Sequence, residues 1–357
     1  MKKTINYIRK NYLNTPGNTL LSIFLFVAIS WVCIKLFSWA IINAVWTGDS
    51  QDVANPNGAT WAFINKKIRF FMYGFYPLES IWRINIAFVL FVLSFIPYMS
   101  KKINQSIYFL IQMIFWPIIV FLLIQGGLFV TEISSNNWGG LTLTLLLSSM
   151  GLMFSFPLGI LLALGRRSQM PIVKVLSIVY IEFFRGIPLI TILFMSSVVV
   201  PFFLPNTFVI DKYVRVIMGM TFFQSAYLAE VIRGGLQSLN KGQYEAADSL
   251  GLPYFLKTYL VIMPQALKMT ITNIGGISVS FIKDTTLVMI IGMFDVLGIV
   301  KPLTGDSNWL GMEPEGLIFA GIIYWILCAI VSKVALHIET KANTLPEVHA
   351  VPVEGEA

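Results

Sequence analysis

Charge is scarce in this chain. Of its 357 residues, 12% are Asp, Glu, Lys or Arg, while 56% are hydrophobic. That balance excludes a soluble domain, and several apolar runs exceed the roughly 18 residues that argue for a membrane span. Cysteine is almost absent. Cys33 and Cys328 each lie within an apolar run, so no disulfide framework is indicated and both read as small buried residues. Histidine is equally rare: His337 and His349 have no ligand cluster around them, and no metal site is expected. No Gly-x4-Gly-Lys-Ser/Thr loop occurs, which excludes nucleotide binding by that mechanism. No Ser/His/Asp or Cys/His set and no fixed-period repeat is visible, which argues against a hydrolase and against a solenoid.

What is present is a series of apolar segments separated by basic or turn-rich connections. The spans are expected at Thr19 to Trp46, Ile84 to Ser100, Ile107 to Gln125, Leu141 to Leu164, Pro171 to Pro205, Tyr213 to Arg233, Thr270 to Val300 and Gly316 to Leu336. The fold class is therefore an all-α integral membrane protein of about eight transmembrane helices. The N-terminus is basic (Lys2, Lys3, Arg9, Lys10) and then apolar. Its apolar run is too long for a signal peptide and is read as a retained span. Lys101-Lys102 and Gly165-Arg166-Arg167 mark cytoplasmic loops by the positive-inside rule. The formal charge of +7 suits loops facing anionic lipid, without a nucleic-acid partner. An even number of spans puts both termini on the cytoplasmic side. The long connection Thr47 to Arg83 then lies outside, with Ile64 to Tyr76 as an interfacial amphipathic helix. Trp138 sits at an outer turn as an interfacial aromatic.

The stretch Gln243 to Leu267, QYEAADSLGLPYFLKTYLVIMPQAL, is polar and small at its start in a chain that is otherwise mostly apolar. Tyr244 to Leu250 suits a short helix. Gly251 suits the left-handed residue that ends it, and Pro253 the first turn of a second short helix. Ala246 and Ala247 let a partner's backbone come close, and Glu245 and Asp248 put charge in the first turn. Glu245-Ala246-Ala247, Gly251 and Pro264, with Val261 and Met263 in place of Ile and Leu, resemble the cytoplasmic signature of permease subunits of bacterial ATP-binding-cassette (ABC) importers. The segments AYLAEVIRGGLQSLNKGQYEAADSLGL, LGILLALGRRS, EFFRGIPLITILFM and FIKDTTLVMIIGMFDVLGIV are similar to the polar amino-acid branch, closest to the M-type permease of general L-amino-acid importers. So many linked segments in order carry more weight than one short pattern.

That resemblance implies a five-helix type I importer permease core at the C-terminal side. Residues 1–135 then form an accessory region of about three helices and a long outer loop. Residues 136–340 form the permease core, with the coupling loop at 234–268, and 341–357 form a cytoplasmic tail. It also implies a loop, Tyr244, Glu245, Ala246, Ala247, Asp248, Gly251, Pro253 and Pro264, that docks in a groove of an ATPase dimer. ATP and Mg belong to that partner, and this chain holds no cofactor. Further partners implied are a second, Q-type permease and a periplasmic amino-acid-binding protein.

Charged groups at bilayer depth are costly and are kept where they pair or line a cavity. Glu182 and Arg185, and likewise Glu230 and Arg233, are three residues apart, so each pair shares a helical face. Lys283 and Asp284 are adjacent and need separate partners. Gly186 and Pro188, and Gly275-Gly276 ahead of Lys283, allow helix breaks of the kind that hold a zwitterion. Two readings of Glu182, Arg185, Glu230, Ser280, Lys283, Asp284 and Thr285 stand side by side: a substrate path, or inter-helix bridges that fix the packing. For the whole chain the alternative to an ATP-driven importer subunit is a secondary transporter using Glu182 or Asp284 as an ion site. Dependence on ATP separates the two. A membrane enzyme lacks any catalytic constellation to support it.

Overall fold

The computed structural model describes residues 12, 14–99, 105–127, 130–205 and 210–343. The basic N-terminal residues Lys2, Lys3, Arg9 and Lys10, the Lys101-Lys102 pair and the acidic tail beyond 343 lie outside the described residues. Helices dominate, in the order α1 (Pro16–Phe37), α2 (Ala62–Tyr73), α3 (Ile81–Leu93), α4 (Gln105–Ile119), α5 (Gly140–Arg166), α6 (Pro171–Gly186), α7 (Leu189–Phe194), α8 (Lys212–Ser238), α9 (Lys241–Ser249), α10 (Tyr254–Leu256), α11 (Met263–Asp284), α12 (Val300–Thr304) and α13 (Glu313–Asn343). A two-residue strand, Phe294–Asp295, bridges to Gly139 and Gly140.

Five helical stretches among the described residues are long and apolar enough to cross a membrane: Pro16–Ile42, Ile107–Gln125, Gly140–Arg166, Tyr254–Ile291 and Glu313–Lys341. The broken pair Pro171–Gly186 and Leu189–Phe203, bent by 104°, makes a sixth if it counts as one span. These six coincide with six of the eight expected segments. The other two are helical in a different way. The helix α3 has 13 residues, which at 1.5 Å per residue is short of a roughly 30 Å hydrocarbon core. The helix α8 has 27 residues, but Lys212, Arg215, Glu230 and Arg233 make it polar.

The chain forms two compact units. One comprises Met1–Ile68 and Lys301–Phe319. Here the Trp61 indole donates to the Ala40 carbonyl at 2.7 Å, and the Glu315 carboxylate accepts the Thr60 N–H at 2.9 Å. Lys67 pairs with Asp306 at 2.6 Å and Phe63 packs on Trp309. That ammonium, helped by the Asn308 N–H, holds the Asp306 carboxyl below the usual carboxylate range. In this unit α1 buries no residue; it is apolar all round, as a lipid-facing helix is. Cys33 is exposed on it, not buried as its apolar neighbours suggested.

The second unit comprises Arg69–Val300 and Ala320–Ala357. Its centre is the pair α5 and α8. Gly159 lets the two backbones approach: a Cβ there would lie 2.8 Å from that of Leu228. Gly235 does the same between α8 and α11, where a Cβ would lie 2.6 Å from the Ala266 carbonyl oxygen. Close backbone approach is how membrane helices gain packing energy, since lipid offers no hydrophobic drive between them. Trp138 is buried against Tyr213, with ring centroids 4.9 Å apart. It is a core residue rather than the interfacial aromatic expected. The amphipathic stretch at 64–76 is helical as far as Tyr73, but Ile64, Phe71 and Tyr76 are buried. Gly275-Gly276 does not break its helix: α11 runs through both, and Gly275 admits the Ala335 methyl group of α13. The break comes after Asp284, where the chain tightens into a 3-10 segment, Thr285–Ile291.

Candidate functional site: the polar loop and the ionic network beside it

The polar loop forms α9 from Lys241 to Ser249, three residues earlier than the expected start at Tyr244. The reason is Asn240, whose side chain accepts the Gly242 N–H at 2.9 Å and caps the helix. At the other end Gly251 has φ +69°, in the left-handed region. Its N–H donates to the Asp248 carbonyl at 2.9 Å, and the Leu252 N–H donates to the Ala247 carbonyl at 3.2 Å. This paired closure is the Schellman motif. Pro253 is the N-cap of α10 rather than a first-turn residue, and the second helix is not short. From α10 the chain passes through a π-helical turn, Lys257–Ile262, directly into α11. Pro264 stands at the start of α11 and is exposed.

The exposed face of α9 carries Glu245, Ala246 and Asp248, and continues into Leu250, Tyr254 and Phe255. Ala247 is 2% exposed, so of the two alanines expected to meet a partner only Ala246 is presented. Ala247 serves the protein's own packing. Asp248 is ion-paired with Lys257 of the following turn. Tyr244 is half-buried and tethers the helix. Its hydroxyl donates to the Leu236 carbonyl at 2.9 Å and accepts from Arg167 at 2.9 Å. The Arg167 guanidinium also donates to the Leu236 carbonyl at 2.7 Å and lies 5.5 Å from the Tyr244 ring centroid. Arg167, Leu239, Lys241, Tyr244 and Glu245 line a shallow cleft of about 380 Å³.

The charges expected at bilayer depth pair differently from the sequence spacing. Glu230 and Arg233 do meet, at 2.8 Å. Glu182 and Arg185 do not. Glu182 is held by Arg166 at 2.8 Å, and Arg185 faces Glu230 at 3.6 Å. Arg166 also reaches Glu230 at 2.9 Å, so three guanidinium groups converge on one carboxylate. Three-residue spacing permits a pair on one face, but Arg166 and Glu230 arrive from neighbouring helices and take the partners first. Arg166, which in the sequence only marked the cytoplasmic side, is the group that reasoning from the sequence missed.

On α11, Ser280 and Lys283 are exposed and Asp284 is half-buried. Neither Lys283 nor Asp284 has an ion-pair partner among the described residues. Thr285 is fully buried and committed. Its hydroxyl donates to the Ile282 carbonyl at 2.8 Å and lies 3.0 Å from the Tyr324 hydroxyl. Both face Asp295, a fully buried carboxylate that also accepts the Gly298 N–H at 2.7 Å and the Tyr324 hydroxyl. Asp295 was not singled out from the sequence; the signal was a lone carboxylate in the apolar run GMFDVLGIV.

The chain is a polytopic helical protein whose capped, exposed helix α9 leads into its longest apolar span, and the comparisons specify its class. Residues 155–343 match the family described as binding-protein-dependent transport system inner membrane component, and this chain belongs to that family. It is 46% identical over 341 residues to the inner membrane amino-acid ABC transporter permease protein YhdY of Escherichia coli (strain K12), covering 95% of this chain and 93% of that one. It is 33% identical over 407 residues to the glutamate/glutamine/aspartate/asparagine transport system permease protein BztC of Rhodobacter capsulatus, covering 94% and 93%. A solved amino acid ABC transporter with histidines superposes with a TM-score of 0.50 at 28% identity, covering 57% of this chain and 92% of that one. The chain is thus an ABC importer permease and not an enzyme. Nucleotide binding belongs to a partner ATPase, and a substrate-binding protein completes such a system.

Proposed function

We propose that this chain carries polar L-amino acids inward across the bacterial inner membrane, driven by an ATPase dimer that docks on α9. The observation that carries the docking step is the presented face of Glu245, Ala246 and Leu250 on a helix closed at both ends and tethered through Tyr244. A short helix that is capped and anchored transmits a push as a rigid body, whereas a loose loop absorbs it. The amino-acid substrate is drawn from the relatives' names: YhdY is named for amino acids, and the four polar amino acids in the name of BztC fit a general carrier of polar amino acids. A Q-type permease supplies the other half of the pore. In this reading residues 1–135 are accessory, 136–340 are the permease core with its coupling loop at 234–268, and 341–357 are a tail. Both termini and residues 242–251 face the cytoplasm. Ser280, Lys283 and Asp284 line the path, since Lys283 and Asp284 are charges left without an ion partner among the described residues at a helix break.

Purification of the tagged chain from its native membrane in mild detergent tests the assembly. An ATP-binding subunit and a second permease are expected to co-purify; recovery without any ATP-binding subunit overturns the reading. Orientation is tested with a single cysteine at position 248 in a chain lacking Cys33 and Cys328. An impermeant thiol reagent should leave intact cells unlabelled, and ready labelling rules the topology out.

A further inference from the structure

The tether of α9 and the ionic network meet at two consecutive residues. Arg166 is the last residue of α5 and Arg167 its C-cap. Arg166 turns toward α6 and α8, binding Glu182 at 2.8 Å and Glu230 at 2.9 Å. Arg167 turns toward α9, binding the Tyr244 hydroxyl and the Leu236 carbonyl. The end of α5 therefore holds the short helix with one side chain and two long helices with the next.

We propose that Arg166 and Arg167 form a transmission joint, through which displacement of α9 is converted into rearrangement of α6 and α8, with Glu230 as its hub. Arg166, Arg167 and Glu230 are then positioning residues, not substrate ligands. The inference rests on the reading of α9 as the docking helix. Three features of the geometry support it. Guanidinium groups present several donors in a rigid fork and can hold two acceptors at once. Arg166 does so with two carboxylates on different helices, while Arg185 waits at 3.6 Å from Glu230. Three guanidinium groups facing two carboxylates leave one cation in surplus, so partners exchange without stranding a carboxylate. Second, Arg185 lies at the end of α6, directly before the 104° bend into α7, so a small shift there re-aims the following helix. Third, the network is open at one end only: the Glu182 side chain is 57% exposed, whereas the hub Glu230 is 14% exposed. The Arg166–Glu182 pair therefore contributes little stability and is free to exchange, while Glu230 stays in place as the hub.

The test uses the whole importer, with its ATPase, second permease and binding protein, in liposomes. Arg167→Met and Arg166→Met are each expected to keep ATPase association and basal hydrolysis within about two-fold of the parent. Amino acid imported per ATP hydrolysed should fall at least ten-fold. Arg167→Lys, which keeps a donor in place, should restore part of that ratio. A merely structural role lowers protein level and both activities together and leaves the ratio alone. An unchanged ratio in either methionine variant, or a loss that tracks ATPase association, overturns the joint. Should one methionine variant fail to assemble, the other carries the same readout. Ala246→Trp on the presented face is the separate arm. It should expel the ATPase from the complex; if it does not, the docking reading fails whatever the arginine variants do.

Discussion

Replacing Gly251 with Val should uncouple transport while leaving the protein in the membrane. Gly251 sits at φ +69°, and a Cβ built there meets nothing within 4 Å. The penalty is therefore backbone strain alone, about 1–3 kcal/mol for a branched residue in the left-handed region. The strain falls on the Schellman closure, the Gly251 and Leu252 N–H bonds to Asp248 and Ala247. With no atom within 4 Å of that Cβ, the strain is not passed by steric contact to the buried side chains between α5 and α8. At about 2 kcal/mol the frayed population of α9 rises roughly 30-fold. A nine-residue helix has few other bonds to oppose that. The assay is ATP hydrolysis stimulated by the substrate-loaded binding protein in liposomes, with ATPase co-purification measured beside it. Asn tolerates the left-handed region, so Gly251→Asn should behave much like the parent. Equal stimulation in the Val and Asn variants would refute the argument, because their difference isolates the backbone conformation.

Other outcomes follow from the same geometry. Asp295→Asn or Tyr324→Phe should lower stability in detergent by about 1–3 kcal/mol, because each leaves a buried polar partner unmatched; thermal unfolding of the purified chain reads it, and an unchanged midpoint contradicts the buried cluster. Asp284→Asn should reduce import more than it reduces protein level, and parallel losses would make Asp284 a packing residue. The Lys67–Asp306 pair carries a sign. Its carboxyl is held below the ordinary value of 3.8 in the folded state. Its contribution is therefore fully present above that value and is lost as the pH falls through the lower, folded one. The stability difference between the parent and Asp306→Asn should stay flat from neutral pH down to about 5 and close only below about 4; closure near neutrality would exclude the pairing as its cause.

The helical membrane class, the six coinciding spans and the glycine that ends the helix expected at 244–250 were legible in order along the chain. The reason is that each depends on local quantities. Apolar run length decides whether a helix satisfies its backbone in lipid. The absence of a Cβ decides which residue takes φ +69° at the end of α9. The bend beside Pro188 is local too, since the ring removes a backbone donor. The family resemblance read from Glu245 to Pro264 and its neighbours is of the same kind, a linear order of residues.

Partnership was not legible, because it depends on which helices lie side by side. Nothing in the spacing of Glu182 and Arg185 says that Arg166 and Glu230 arrive from α5 and α8 to claim them. Of two adjacent alanines, only the rotation of α9 on Tyr244 determined that Ala247 turns inward and Ala246 outward. Thr285 and Asp295 stand ten residues apart in the chain, and only the return of α13 brings Tyr324 to both. Sequence by itself determined the membrane class, the helical segments and the glycine that ends α9, because sterics and transfer energy act on neighbours in the chain. Which charge meets which, and which face of α9 is presented, was decided by tertiary structure, because a guanidinium bonds whatever carboxylate packing brings within 3 Å.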